Sequence, residues 1–255
     1  MPKVRKAKDA VEAILADANW SERLGELDSL GLKRVSGALF SLILSPSPAL
    51  RWRARKAFGK VAADLDASEP EAGRTIVRNM LWRLNEESGG IGWGVPEAMG
   101  EVLAASPRLA EQYHSILLSY VREHDGVCHG NFLDNPGLRH GVLRGLVRLA
   151  EARPELVARG AAHLTRVLDP GLAAERHQGS PEQHECHDAR ARALACRALG
   201  LAAGNLSGQA LETARSALEA MLDDRSETEL EGEDGIGEQT TVAAEAQRAL
   251  DTLTG

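Results

Sequence analysis

The 255-residue sequence predicts an all-α protein, an α-solenoid of about five stacked helix pairs behind an N-terminal helical cap. Three observations predict it. Aromatic residues make up 4% of a chain that is 43% apolar, so its core must be assembled from Leu, Ala and Val, which suits closely packed helices better than a β-sandwich. No segment alternates apolar and polar residues long enough to make a convincing strand. One apolar pattern, at helical spacing, recurs along the chain.

Taken in order, residues 1–30 form the cap, opening on the amphipathic PKVRKAKDAVEAI, and residues 31–255 hold the helix pairs, so that 1–255 is one domain. The first helix of each pair is expected over residues 31–44, 70–87, 107–122, 154–168 and 208–222. The second helices are LRWRARKAFGKV (50–61), IGWGVPEAMGEV (91–102), LRHGVLRGLVRL (138–149), ARALACRALGLA (191–202) and VAAEAQRALDTL (242–253). Aligned without gaps, each shows small or apolar residues at i, i+4, i+7 and i+8: Leu50, Ala54, Ala57 and Phe58 in one, Ala191, Ala195, Ala198 and Leu199 in another. That spacing is one helical face, and its small residues allow a second helix to approach closely. Ser47-Pro48, Ser106-Pro107 and Asn135-Pro136 each place a capping side chain before a proline in a first helical turn. Two insertions lengthen the loops. DPGLAAERHQGSPEQHEC precedes the fourth inner helix, and residues 223–240 carry eight acidic residues between 223 and 238 against Arg225 alone, which predicts a solvated, mobile loop.

The steps between Ala57, Ala98, Gly145, Ala198 and Ala249 are 41, 47, 53 and 51 residues, where helix-pair repeats run to about 40–47. The segments resemble the second helix of HEAT repeats, in the short variety also found in phycobilisome-lyase-like proteins, with its reading V-R-x-x-A-x-x-A-L-G-x-L. Arg51, Arg139 and Arg192 stand at the arginine of that pattern, and Gly59, Gly100 and Gly200 at its glycine; Gly92, Ala243, Val147 and Asp251 depart from it. The stretch MLWRLNEESGGIGWGVPEAMGE (80–101) also resembles an uncharacterised HEAT-like family of anaerobic bacteria. The resemblance implies a stack whose second helices line the inner face, and it implies no activity.

That stretch breaks the helical code once. Gly89, Gly90, Gly92 and Gly94 stand where neighbouring repeats begin their inner helix, so this helix is expected to start late, near Pro96, after an irregular loop with positive φ. Trp93 aligns with Trp52 and His140, one planar ring per successive repeat, with Trp82, Glu86 and Glu87 just upstream. The alternative for this row is packing in the seam between repeats.

Metal-ligating residue types gather in RHQGSPEQHECH, where His177, His184, Cys186 and His187 could hold zinc, although their spacing matches no standard zinc module. His124, Cys128 and His129 form a lesser group. Three cysteines in a chain this long do not make a disulfide framework. Arg51, Arg53, Arg55, Lys56 and Lys60, with Trp52 among them, could contact nucleic-acid phosphates, but a net charge of −7 argues against that as the main task. The longest apolar cluster, GALFSLILSP, is too short to span a bilayer, and the first residues lack a signal-peptide core, so a cytoplasmic protein is expected.

The expectation for function is a non-enzymatic scaffold that binds a protein segment in its groove. Trp52, Trp93, His140, Gly92 and Gly94 would offer contact surface, Glu86 and Glu87 would favour a basic partner, and Arg51 and Arg139 would take carboxylates or carbonyls. The alternative is an enzyme or a cofactor- or metal-handling protein using the histidine-rich rim, with zinc as its ion.

Overall fold

The computed structural model describes residues 2–85, 92–121, 135–169 and 188–254. They divide into two compact units, residues 1–112 with 232–236, and residues 113–231 with 237–255.

In the first unit the cap is α1 (Pro2–Ala16), the short α2 (Trp20–Arg23) and a 3₁₀ segment, Leu24–Leu30. The pairs that follow are α3 (Leu32–Leu42) with α4 (Pro48–Ser68), and α5 (Pro70–Leu84) with α6 (Val95–Ala105). Helix α7 (Pro107–Ser119) contains the boundary between the units. In the second unit stand α8 (Pro136–Ala152), the outer helix broken into α9 (Pro154–Ala158) and α10 (Ala161–Val167), then α11 (Ala189–Ala202), α12 (Gly208–Glu219) and α13 (Val242–Thr254). The fold is all-α, with five helix pairs among the described residues. Each predicted capping side chain accepts from its own helix: Ser47 Oγ from the Leu50 amide, Ser106 Oγ from that of Leu109, and Asn135 Oδ1 from those of Gly137 and Leu138.

The recurring face is the packing face. Ala54, Ala57 and Phe58 in α4, Ala98 and Met99 in α6, Val142 and Leu146 in α8, Ala195, Ala198 and Leu199 in α11, and Ala246 in α13 are all fully buried. Inner helix lies on inner helix: α4 on α6 in the first unit, and α8 and α13 on α11 in the second. The repeat glycines permit this approach. A Cβ at Gly59 would sit 2.9 Å from the Glu101 carbonyl oxygen of α6, and one at Gly200 would sit 2.8 Å from Cα of Ala249 in α13. A methyl group at either position would push two helices apart.

Two expectations about local structure are corrected. The outer helix of residues 154–168 is interrupted at Arg159-Gly160, where a Cβ on Gly160 would come 2.6 Å from the Leu118 side chain. More consequentially, the acidic insertion, expected to be a solvated loop in a chain without strands, contains an antiparallel hairpin, β1 (Glu227–Glu231) and β2 (Gly237–Thr241). Thr228 pairs with Thr240 and Leu230 with Glu238. Only Leu230 of the ten strand residues is buried. A single apolar side chain makes no alternating hydrophobic pattern, which is why the strands are invisible to periodicity. A lone two-stranded hairpin is marginal in water, so its tertiary contacts with α11 and α13 must hold it.

Candidate protein-binding site

Helix α6 starts late, as the glycines predict. Gly94 precedes it in the left-handed conformation, φ +74°, and Pro96 lies in its first turn. Steric room also selects glycine here: a Cβ on Gly94 would lie 3.0 Å from the Ile43 carbonyl oxygen, and one on Gly92 would lie 3.0 Å from that of Arg83. The turn is therefore pressed between the ends of α3 and α5, with Trp93 between its two glycines and 44% exposed. Its two supports carry large exposed side chains of their own. Leu44 follows Ile43 and is 56% exposed; Trp82 precedes Arg83 and is 63% exposed. The Arg83 guanidinium lies 4.4 Å from the Phe40 ring centroid, which ties the end of α5 to α3. Three of the five large hydrophobic side chains exposed among the described residues thus belong to the three backbone segments that meet at this turn. Trp82 was legible in the sequence as a neighbour; Leu44 was not, because only the fold brings its segment beside Gly94.

The other predicted contact residues have different surroundings. Trp52 is half-buried, edge-on to Trp20 at 5.7 Å between centroids, with Lys56 Nζ 5.1 Å from its ring centre. It packs between cap and first pair. Arg51 donates to the Ser45 and Pro46 carbonyls, closing the loop ahead of α4. In the second unit Arg139 is 4% exposed, and His140 is hydrogen-bonded to the Asp188 carboxylate, which also caps α11 through the Arg190 and Ala191 amides. Burial pushes the Asp188 carboxyl up, but the His140 hydrogen bond and charge and the two amides hold it below the usual range. Glu86, Glu87, Gly89 and Gly90 lie outside the described residues, as do His177, His184, Cys186 and His187 of the zinc candidate and the group His124, Cys128 and His129. Among the described residues no three His, Cys, Asp or Glu side chains are grouped to hold a metal ion.

The basic stripe of α4 is internally paired. Arg53 donates to both carboxylate oxygens of Asp234 at 2.8 and 2.6 Å, Lys56 meets Glu101 at 2.6 Å, and Lys60 meets Asp28 at 2.8 Å. Arg55 lies 3.5 Å from Glu97. These cations are spent on neighbouring elements, so the stripe offers little free charge to phosphates. Cys196 is buried in α11, and burial together with the charge of Glu245 raises its thiol to about 12, which leaves no thiolate for chemistry.

No protein-family model matches the chain, and no curated protein sequence matches it. Solved structures do. An engineered protein determined by the Northeast Structural Genomics Consortium aligns over 99% of this chain and 92% of its own, with a TM-score of 0.54 at 15% identity. Computationally designed armadillo repeat proteins for modular peptide recognition align over 97% and 92%, with a TM-score of 0.51 at 16% identity. A second engineered protein from the same consortium aligns over 97% of this chain and 53% of its own, with a TM-score of 0.53 at 14% identity. At these identities the likeness is one of fold, that of all-α repeat proteins. No helix among the described residues is long and apolar enough to cross a membrane.

Proposed function

We propose that this protein is a non-enzymatic, cytoplasmic HEAT-like scaffold that binds a segment of another protein, with the turn at Trp93 as the centre of contact. The observation that carries the reading is that Trp93, Trp82 and Leu44 are large exposed apolar side chains on the three backbone segments that meet at Gly92 and Gly94. Exposed tryptophans on a rigid support lose little conformational entropy on binding, and such rings dominate interface energetics. Glu86 and Glu87, a few residues before Trp93 in the sequence, favour a basic segment in the partner. Trp52, Arg51, Arg139 and His140, engaged with groups of their own chain, are supporting residues in this reading. The likeness to designed proteins for peptide recognition agrees with it at the level of fold.

Affinity capture from a native extract with the intact chain beside its Trp93→Ala variant tests the proposal. A defined protein held by the parent and weakened at least about tenfold in the variant supports it, given that central aromatic anchors contribute 2 kcal/mol or more. Equal capture by both chains would move the contact elsewhere. The second reading, a metal-handling protein using His177, His184, Cys186 and His187, predicts a stoichiometric zinc ion lost on His184→Ala with Cys186→Ala, read by metal analysis of the purified chain.

A further inference from the structure

The hairpin strands bury one apolar side chain, Leu230, and ion pairs tie the segment to inner helices. In the second unit its carboxylates take arginines of the inner helices: Glu231 meets Arg144 of α8 at 2.8 Å, and Asp224, at the foot of β1, meets Arg192 of α11 at 2.7 Å. Arg192 also reaches Ser226 Oγ. In the first unit the tip, residues 232–236, repeats the arrangement on α4, where Asp234 takes the Arg53 guanidinium with both oxygens. That aspartate sits at φ +52°, in the left-handed region a non-glycine residue adopts at a cost. Leu230 alone is buried, while Glu227, Glu229 and Glu238 are not. An acidic segment therefore lies on two arginines of the second unit's inner helices, through ion pairs whose side chains are 10–25% exposed.

We propose that residues 223–231 and 237–241 are a built-in occupant of the second unit's inner-helix face, holding Arg144 and Arg192 in place of an extended acidic segment of a partner. The proposal rests on the segment-binding reading above but uses a different surface, chemistry of opposite sign and a different unit from Trp93. The complementarity that seats the hairpin is the specificity the face offers: two guanidinium groups, one taking a carboxylate ahead of β1 and the other the carboxylate at its end. Tethering gives the hairpin a millimolar-range effective concentration, so an outside segment competes only when the hairpin is weakened or the segment binds more tightly.

A labelled synthetic peptide of residues 223–241 is the probe, titrated at low ionic strength into the full chain and into its Asp224→Asn, Glu231→Gln variant. The variant is expected to bind the peptide at least about tenfold more tightly than the parent, and to lose that gain when Arg144→Gln and Arg192→Gln are added or when salt is raised. Equal affinity in parent and variant, or no binding to a folded variant, overturns the proposal. Native hydrogen exchange on the unmodified chain decides independently of whether the variant folds. Amides of β1 and β2 are expected to exchange at least about a hundredfold faster than those of α11, through local opening. Exchange in step with α11 makes the hairpin a permanent strut. Trp93→Ala, run beside these chains, keeps the peptide response, so failure of the Trp93 site and failure of this proposal give different results.

Discussion

Gly200 shows at the scale of one residue what the repeat pattern encodes. The pattern's glycine is a distance requirement, because a Cβ at this position would meet Cα of Ala249 at 2.8 Å. Gly200→Ala is expected to cost roughly 1–3 kcal/mol, as overpacking does, measured by denaturant unfolding. Gly204→Ala is the control: nothing lies within 4 Å of its Cβ, so it should change stability by less than about 1 kcal/mol. Trp93 is the opposite kind of residue. At 44% exposure it contributes little to the core, and Trp93→Ala should leave the thermal midpoint within a few degrees of the parent while binding falls.

Among the elements, α11 and α13 are joined through a buried carboxylate. Glu245 is 1% exposed and accepts from Arg197 Nε and Nη2 at 2.9 and 3.0 Å and from Thr240 Oγ1 at 2.9 Å, with Arg248 beside it. One carboxylate thus ties the inner helix α11, the end of β2 and the last helix together. Glu245→Ala leaves the half-buried Arg197 and the Thr240 hydroxyl without this acceptor, and a loss of roughly 2–4 kcal/mol is expected in chemical unfolding. The hairpin differs in kind. Leu230 is the one buried side chain of its strands, so raising salt should speed its exchange more than that of α11.

For the whole molecule, the carboxylates set the acid limit. Burial raises Glu245, but hydrogen bonds from Arg197 and Thr240 and the arginine charges outweigh it and hold it below its ordinary 4.5. Asp224 is likewise raised by burial and lowered further by Ser226 and Arg192, and Asp234 is lowered chiefly by its hydrogen bonds from Arg53; both end below 3.8. A carboxylate with a lowered folded pKa contributes stability that is fully present above its unfolded value and disappears as pH falls through the folded one. Unfolding free energy should therefore be level with respect to these groups above about pH 5 and fall progressively below about pH 4.5. Glu245→Gln should flatten part of that slope. Exposed ion pairs, such as Lys33 with Glu69, add little to it.

Much of this architecture is written locally. The i, i+4, i+7, i+8 face identified the inner helices, the Ser-Pro and Asn-Pro pairs identified helix starts, and the glycine run identified the late start of α6, because each depends on neighbours within one or two turns. All-α character, helices in repeating pairs and the interruption of the second pair at Trp93 follow from residue types and their spacing. Folding in three dimensions settles which charges meet and what surface remains. It spent the basic stripe of α4 on Glu101, Asp28 and Asp234, set Trp52 against Trp20, placed Leu44 and Trp82 on the segments that flank Trp93, and drew an acidic excursion into a hairpin on the arginines of inner helices. Those outcomes join residues as many as 181 positions apart, and a periodic pattern carries no record of contacts at that range.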